Sequence, residues 1–262
     1  MGIVNITPDS FSHDGCWDKN PVRTAAKAFH YAKKLLNDGA DILDIGGESS
    51  RPGSKAISVR EEIERIGPTL KKLTALSVPI SVDTYKPAVA QYALDAGASI
   101  INNIKGLSPD TKLLKMIRDY NAAVIVMHMR GTPKTMQKKI SFRDPVREII
   151  KDLKRSVEKC LEIGIKSDRI IVDPGIGFGK TLEQNLEIIR RLPEFRTLNC
   201  PILMGTSRKS FIGAILDRPV EDRLMGTAST VCASILNGAH IVRVHDVKKM
   251  KDIVRMTDAI LL

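Results

Sequence analysis

Short apolar runs alternate with longer amphipathic stretches from one end of this chain to the other. The runs are Gly2–Ile6, Asp41–Ile45, Pro79–Asp83, Ser99–Asn103, Ala122–His128, Arg169–Asp173, Pro201–Met204 and His240–His245. Among the intervening stretches, Pro21–Asp38, Val59–Leu76, Pro87–Ala96 and Pro145–Ile163 carry helical spacing, and Gly39 follows the first of them as a C-cap. Runs of this length separated by helical patterns predict parallel strands in βα units. Roughly eight units in one chain of 262 residues, with no linker or composition shift, predict one α/β domain over 1–262. A (β/α)8 TIM barrel needs about 250 residues. A doubly wound open sheet is the alternative, and the polar residues favour closure. Nearly every run ends in side chains that a buried strand avoids: Asn5, Glu48 just past Gly46-Gly47, Asp83, Asn102, His128, Asp173, Ser207-Arg208-Lys209, and Arg243 with His245. In a barrel, strand C-termini converge on one face, so these side chains are expected to ring one pocket.

Composition narrows the class. Hydrophobic content of 43% supports a large core, and aromatic content of 4% argues against a base-stacking module. No apolar run approaches the ~18–20 residues of a membrane span. Cys16, Cys160, Cys200 and Cys232 are far apart without a C-x-x-C pair, which predicts reduced thiols in a cytosol-like compartment. Net charge is +11, but many basic residues lie in pairs on helical patterns and read as solvated faces. No nucleic-acid or membrane partner is expected.

The stretch Val172-Asp-Pro-Gly-Ile-Gly-Phe-Gly-Lys-Thr181 resembles a phosphate loop at first sight. Pro174 stands where the P-loop's first glycine belongs, and Lys180 stands where the dinucleotide fingerprint needs its third. It reads instead as a strand end presenting a carboxylate, with Lys180 as a surface charge at the next helix start. Asp83 and Asp173 accept hydrogen bonds and Asn102 both donates and accepts, a set suited to a heterocycle edge bearing amine and ring N–H donors. Helix capping is the alternative for either Asp alone. Arg51, Lys209, Arg243 and His245 supply the opposite charge. Arg243 and His245 lie two apart on one run, share a face, and suit a phosphate or diphosphate; neutralising a nearby carboxylate is the alternative for Arg243. Ser210 opens the helix after the seventh run, a second anion-binding position, with ordinary N-capping by Ser207 or Ser210 as the alternative. His128 is expected to serve the pocket wall or the structure rather than act as a general base.

Met1–Ser12, Asp44-Ile-Gly-Gly-Glu-Ser-Ser-Arg-Pro-Gly53, Ser81-Val-Asp-Thr-Tyr-Lys-Pro87, Val172–Lys180, Ser207-Arg-Lys-Ser210 and Arg243-Val-His-Asp246 together resemble the dihydropteroate synthase family, in order and from end to end. The resemblance implies a Mg2+-using transferase of folate biosynthesis, usually a homodimer in the cytoplasm, or in an organelle if the source is a eukaryote. It joins p-aminobenzoate to 6-hydroxymethyl-7,8-dihydropterin diphosphate and is the target of sulfonamides. Carried onto this chain, it implies Asp83, Asn102, Asp173 and Lys209 around the pterin, Asn5 on the metal, and Arg243 with His245 on the diphosphate. It also implies Phe178 and Pro52 against p-aminobenzoate with Ser210 at its carboxylate, Asp9 and Phe11 in a first mobile loop, and Ser49, Ser50 and Arg51 in a second. Asp9, Asp83, Lys209, Arg243 and His245 would be the catalytic set. Ser50 stands where the family usually has Thr, Asn103 where it usually has Asp, and His13 departs from its usual first loop. The chain also lacks the short upstream segment that many members carry, so it is expected to be cut from a longer polypeptide or fused to another folate enzyme. A pterin-binding methyltransferase barrel is the alternative function; it shares the Asp/Asn site but has no diphosphate for Arg243 and His245.

Overall fold

Alternation along each short strand separates two cores. The computed structural model describes residues 1–7, 16, 18, 20–51, 53–105, 110–137 and 140–262, so Asp9, Phe11, His13 and Pro52 lie outside the described residues. Strands β1 (Gly2–Asn5), β2 (Leu43–Gly46), β3 (Ile80–Asp83), β4 (Ile100–Asn103), β5 (Ala123–Met127) and β6 (Ile170–Asp173) pair in sequence order, all parallel. Strands β7 (Leu203–Met204) and β8 (Ile241–Val242) pair with each other. Parallel bridges Val172↔Ile202 and Gly2↔Val244 join this pair to β6 and β1. The circle closes as a barrel, through Val172 N–H to Pro201 O at 2.9 Å and Val244 N–H to Met1 O at 3.0 Å.

Outward positions such as Val4, Ile45, Val82, Ile101, Val124 and Val172 pack under the helices. Inward positions stack in layers, as a barrel requires. Met1, Ile100, Ala123, Ile125, Ile171 and Leu203 fill the lower interior. Above them the inward residues become polar: Asp44, Ser81 and Asn102, then Asn5, Asp83 and Asp173 at the mouth.

The helices are α1 (Pro21–Asn37), α2 (Val59–Leu73), α3 (Pro87–Asp95), α4 (Thr111–Asp119), α5 (Pro145–Ile163), α6 (Leu182–Arg190), α7 (Ser210–Leu216), α8 (Leu224–Leu236) and α9 (Val247–Leu261). Side chains fix several starts: Asn20 accepts from Val22 and Arg23 N–H, Asp144 from Arg147 N–H, and Thr181 forms a capping box with Gln184. Helices α4 and α8 are among those that the helical spacing did not mark. The first is only nine residues long. The second, LMGTASTVCASIL, carries no charge to mark a solvent face.

Candidate active site at the barrel mouth

Strand register brings the site together. Asp83 pairs with Gly46 and Asn102. A Cβ on Gly46 would lie 3.6 Å from Asp83 Cβ and 4.0 Å from Asn5 Oδ1, so the ends of β1, β2 and β3 meet at the mouth. On the opposite side, a Cβ on Gly205 would lie 4.0 Å from both Arg243 Cβ and Lys209 Nζ. Glycine at 46 and 205 leaves the space between these groups open.

Arg243 lies across the carboxylates. Its Nε donates to Asp44 Oδ2 at 2.6 Å and its Nη2 to Asp83 Oδ2 at 3.4 Å. Asn102 Nδ2 donates to the same Asp44 oxygen at 3.3 Å. Two of the three guanidinium nitrogens are therefore taken by carboxylates, the alternative weighed above for this residue. Asp44 was missed as a site residue. Its signal is an acid inside an apolar run, two positions before Gly46 and so facing the same way. Asp44 Oδ1 and Ser81 Oγ, on paired positions, are buried with no protein partner.

The charges perturb one another. Burial pushes the Asp83 carboxyl up to about 8, the Asp44 charge adds to the rise, and Arg243 opposes it. Burial likewise raises Asp173, against the pull of Lys209. Lys209 falls to about 8 through burial, with Asp173 opposing. For Arg243, burial works against the charge, but Asp44 and Asp83 together hold it above its usual value. Asp83, Asp173 and Lys209 shift in the direction expected of a charge withdrawn from water with incomplete compensation, whereas the two carboxylates more than offset the burial of Arg243.

The glycine-rich segment after β6 is closely braced. Gly175 donates to Asp173 Oδ1 at 2.7 Å, Gly177 N–H to Asn185 Oδ1 at 2.7 Å, and Phe178 N–H to Gly175 O at 3.1 Å. These amides are engaged within the protein, so the segment is no phosphate cradle. Gly175 has φ +71, and a Cβ there would stand 2.0 Å from His128 O. Lys209 Nζ donates to Ile176 O and sits 4.6 Å from the centre of the Phe178 ring. Phe178, with Ile104, Met127, Met129, Met136 and Tyr85, forms an apolar wall at the mouth.

Three expectations are corrected. Lys180 is not a surface charge: it is buried, 3% exposed, with Nζ 3.0 Å from His128 Nδ1 and from Phe178 O. Burial pulls it down to about 7, opposed by Asp173. His128 does not join the ring. Inward positions on β5 are Ala123, Ile125 and Met127, so His128 turns outward, with Nε2 3.5 Å from Asp152 Oδ2 on α5. Burial, then the Lys180 charge, lowers it to about 4. Glu48 leaves the ring as well. It accepts from Lys86 Nζ at 2.5 Å and Tyr85 Oη at 2.9 Å, and Lys86 also meets the buried Glu62 at 2.6 Å.

The remaining predicted residues lie around the mouth. Ser207 Oγ is 2.9 Å from His245 Nδ1. Arg208, in the left-handed region at φ 57, forms a two-point ion pair with Asp246 at 2.7 and 2.9 Å. Ser210 is exposed at the first turn of α7. In the second loop, Ser54 Oγ donates to Ser49 O at 2.6 Å and Ser54 N–H to Arg51 O at 3.1 Å, with Ser50 between them. Gly53 N–H reaches Pro133 O at 3.0 Å, tying that loop to the one after β5. Asn103 faces outward and caps a local turn through Lys105 N–H at 3.0 Å.

Among the described residues no group of three His, Cys, Asp or Glu side chains is placed to hold a metal ion. Asn5 offers one neutral oxygen beside Asp83. That donor set fits a Mg2+ ion that takes most of its ligands from phosphate and water.

Residues 1–245 match the family model for pterin binding enzymes, which puts this (β/α)8 barrel, with carboxylates, an arginine and a lysine at its mouth, in the pterin-binding class. The Bacillus subtilis dihydropteroate synthase is 45% identical over 100% of this chain and 88% of its own length. The Yersinia pestis dihydropteroate synthase, solved as a sulfonamide drug complex, superposes with a TM-score of 0.92 at 36% identity, covering 99% of this chain and 92% of that one. The Xanthomonas albilineans enzyme with 4-aminobenzoic acid gives 0.89 at 37% identity over 99% and 92%. The chain belongs to the dihydropteroate synthase family, transferases of folate biosynthesis that form a C–N bond.

Proposed function

We propose that this barrel condenses p-aminobenzoate with 6-hydroxymethyl-7,8-dihydropterin diphosphate. The observation that carries the reading is the pairing of Asp83 and Asp173, both buried at one mouth, with Arg243 and Lys209 between them. Ionised, the two carboxylates accept the pterin's amine and ring N–H donors, and Asn102 completes that edge. Phe178 walls the arylamine, and Ser210 receives its carboxylate. His245, held by Ser207, and the third nitrogen of Arg243 meet the diphosphate. Asn5 would hold Mg2+, which when bound neutralises charge on the leaving diphosphate.

In the reaction the pterin methylene C–O bond breaks and diphosphate leaves with the electron pair. The arylamine nitrogen then bonds to that carbon and loses a proton. Electron-rich ring nitrogens support the positive charge at the methylene, so no protein nucleophile is required. The protein's part is to orient two substrates and stabilise departing charge.

Exposed apolar side chains on α8 and α9 (Met225, Leu236, Met256 and Ile260) support a homodimer through that face, to be read as mass by light scattering. Four cysteines outside any disulfide suit a reducing cytoplasm. No helix among the described residues is long and apolar enough to cross a membrane. The decisive assay is dihydropteroate formation from the two substrates, with and without Mg2+. Product that requires both substrates is expected, with chelation weakening binding of the diphosphate ester but not of the bare pterin. No product under either condition refutes the reading.

A further inference from the structure

Four consecutive carbonyls of the segment after β6 each have a donor. Gly175 O receives Phe178 N–H at 3.1 Å, and Ile176 O receives Lys209 Nζ. Gly177 O receives Gln137 Nε2 at 3.0 Å, and Phe178 O receives Lys180 Nζ at 3.0 Å. Lys209 reaches the segment from the pocket side and Lys180 from behind it. Lys180 also approaches His128 O at 3.3 Å and His128 Nδ1 at 3.0 Å, so one amino group joins the end of β5 to the residue that carries the Phe178 ring. Three protein groups surround this one amino group. The imidazole lies between Lys180 at Nδ1 and Asp152, whose Oδ2 is 3.5 Å from Nε2 and 3.3 Å from Arg130 Nη2.

Fold stability alone is a poor account of this lysine. Its nitrogen is met by carbonyl oxygens and an imidazole rather than a carboxylate, and an apolar side chain of similar length would avoid the cost of burying an amino group. Its hydrogen bonds do one thing an apolar group would not. They fix the Phe178 carbonyl, and with it the direction in which the ring leaves the backbone.

We propose that Lys180 is a positioning residue for the arylamine pocket, setting the place of the Phe178 ring by binding the Phe178 carbonyl to the end of β5. This rests on the reading of Phe178 as the arylamine wall. The segment's other attachments, Asp173 to Gly175 and Gln137 to Gly177, do not pass through Lys180, so the pterin edge keeps its place when Lys180 is changed.

The test is steady-state kinetics on Lys180→Met, which removes every donor, and Lys180→Gln, which retains an amide NH2 on a shorter side chain. Losing one hydrogen bond that orients the wall corresponds to about a three- to tenfold rise in KM for p-aminobenzoate. The inhibition constant of a sulfonamide is expected to rise in parallel. KM for the pterin diphosphate should stay within about twofold, and the glutamine variant should fall between wild type and methionine. In a double-mutant cycle with Phe178→Ala, Lys180→Met should add little further change to the arylamine KM, because the ring it positions is gone. If the methionine variant does not fold, the glutamine variant carries the same comparison and the same cycle. Equal rises in both KM values, a fall in kcat with both KM values unchanged, or full additivity in the cycle would overturn the role while leaving the reaction intact. Absence of product from the wild-type protein would overturn the reaction, and this role with it.

Discussion

Replacing Asp44 by Asn tests whether the carboxylate below the mouth controls the one that meets the substrate. Asp44 is completely buried, and after burial itself its charge is the largest influence raising Asp83 to about 8. Both face inward on neighbouring strands, offset by two positions because Asp44 pairs with Ser81 and Asp83 with Gly46. Side chains so placed are roughly 7 Å apart. With an effective dielectric near 20, a unit charge at that distance contributes about 2.4 kcal/mol, on the order of one to two pH units. The pterin's donors need Asp83 ionised, so wild-type affinity should rise as pH climbs through about 8. In Asp44→Asn the rise should come roughly one to two pH units earlier. Arg243, released from Asp44, acts in the same direction by turning more fully to Asp83. Calorimetry with the bare hydroxymethyl dihydropterin is the assay, because it has no phosphate to titrate in the same range. The variant loses about 1.5–3 kcal/mol of charge-assisted hydrogen bonding, so urea unfolding should accompany the titration to confirm a folded sample. A midpoint that stays in place, or moves to higher pH, would show that Asp44 does not tune Asp83.

Arg243→Ala leaves Asp44 and Asp83 buried without their cation and should cost about 3–5 kcal/mol of stability, read as a lower urea midpoint; an unchanged midpoint would contradict the pairing. Asp173→Asn keeps the shape of the pterin edge but replaces one of its acceptor oxygens with a donor, and calorimetry should show affinity for the bare pterin falling about tenfold or more. Gly175→Ala places a methyl 2.0 Å from His128 O at a positive φ, so the protein should lose several degrees of Tm or fail to fold. His128 sits near 4 in the folded protein against 6.5 ordinarily, so the unfolded chain takes up its proton first as pH falls. Its contribution is complete above pH 6.5 and is lost as pH falls from 6.5 towards 4, so the stability gap between wild type and His128→Asn should narrow across that window.

The barrel was legible because short apolar runs alternate with helical stretches and end in polar residues, and alternation within the strands places Asp83, Asn102, Asp173 and Arg243 inside. It also held what was overlooked. Asp44 shares the orientation of Gly46, and His128, one step beyond inward-facing Met127, must turn outward. His128 stands out as a polar run end and Asp44, inside its run, does not, but for both the parity along the strand decides where the side chain points. Glu48 lies past the last paired residue of β2, where the ladder no longer dictates direction, and Ile57 N–H, Tyr85 and Lys86, all distant in sequence, fix it. Lys180 was the hardest to place. One residue before a helix N-cap, a lysine is ordinarily solvated, and nothing local reveals that the end of β5 closes over this one. The glycines are what permit that closure. With a side chain at 175 the backbone could not lie against His128 O, and Lys180 could not span from there to Phe178 O. A glycine-rich turn ending in lysine can be built to receive phosphate or to bring two strand ends together around a buried amine. The difference lies in whether its amides are left free, and here Asp173, Asn185 and Gly175 O have taken them.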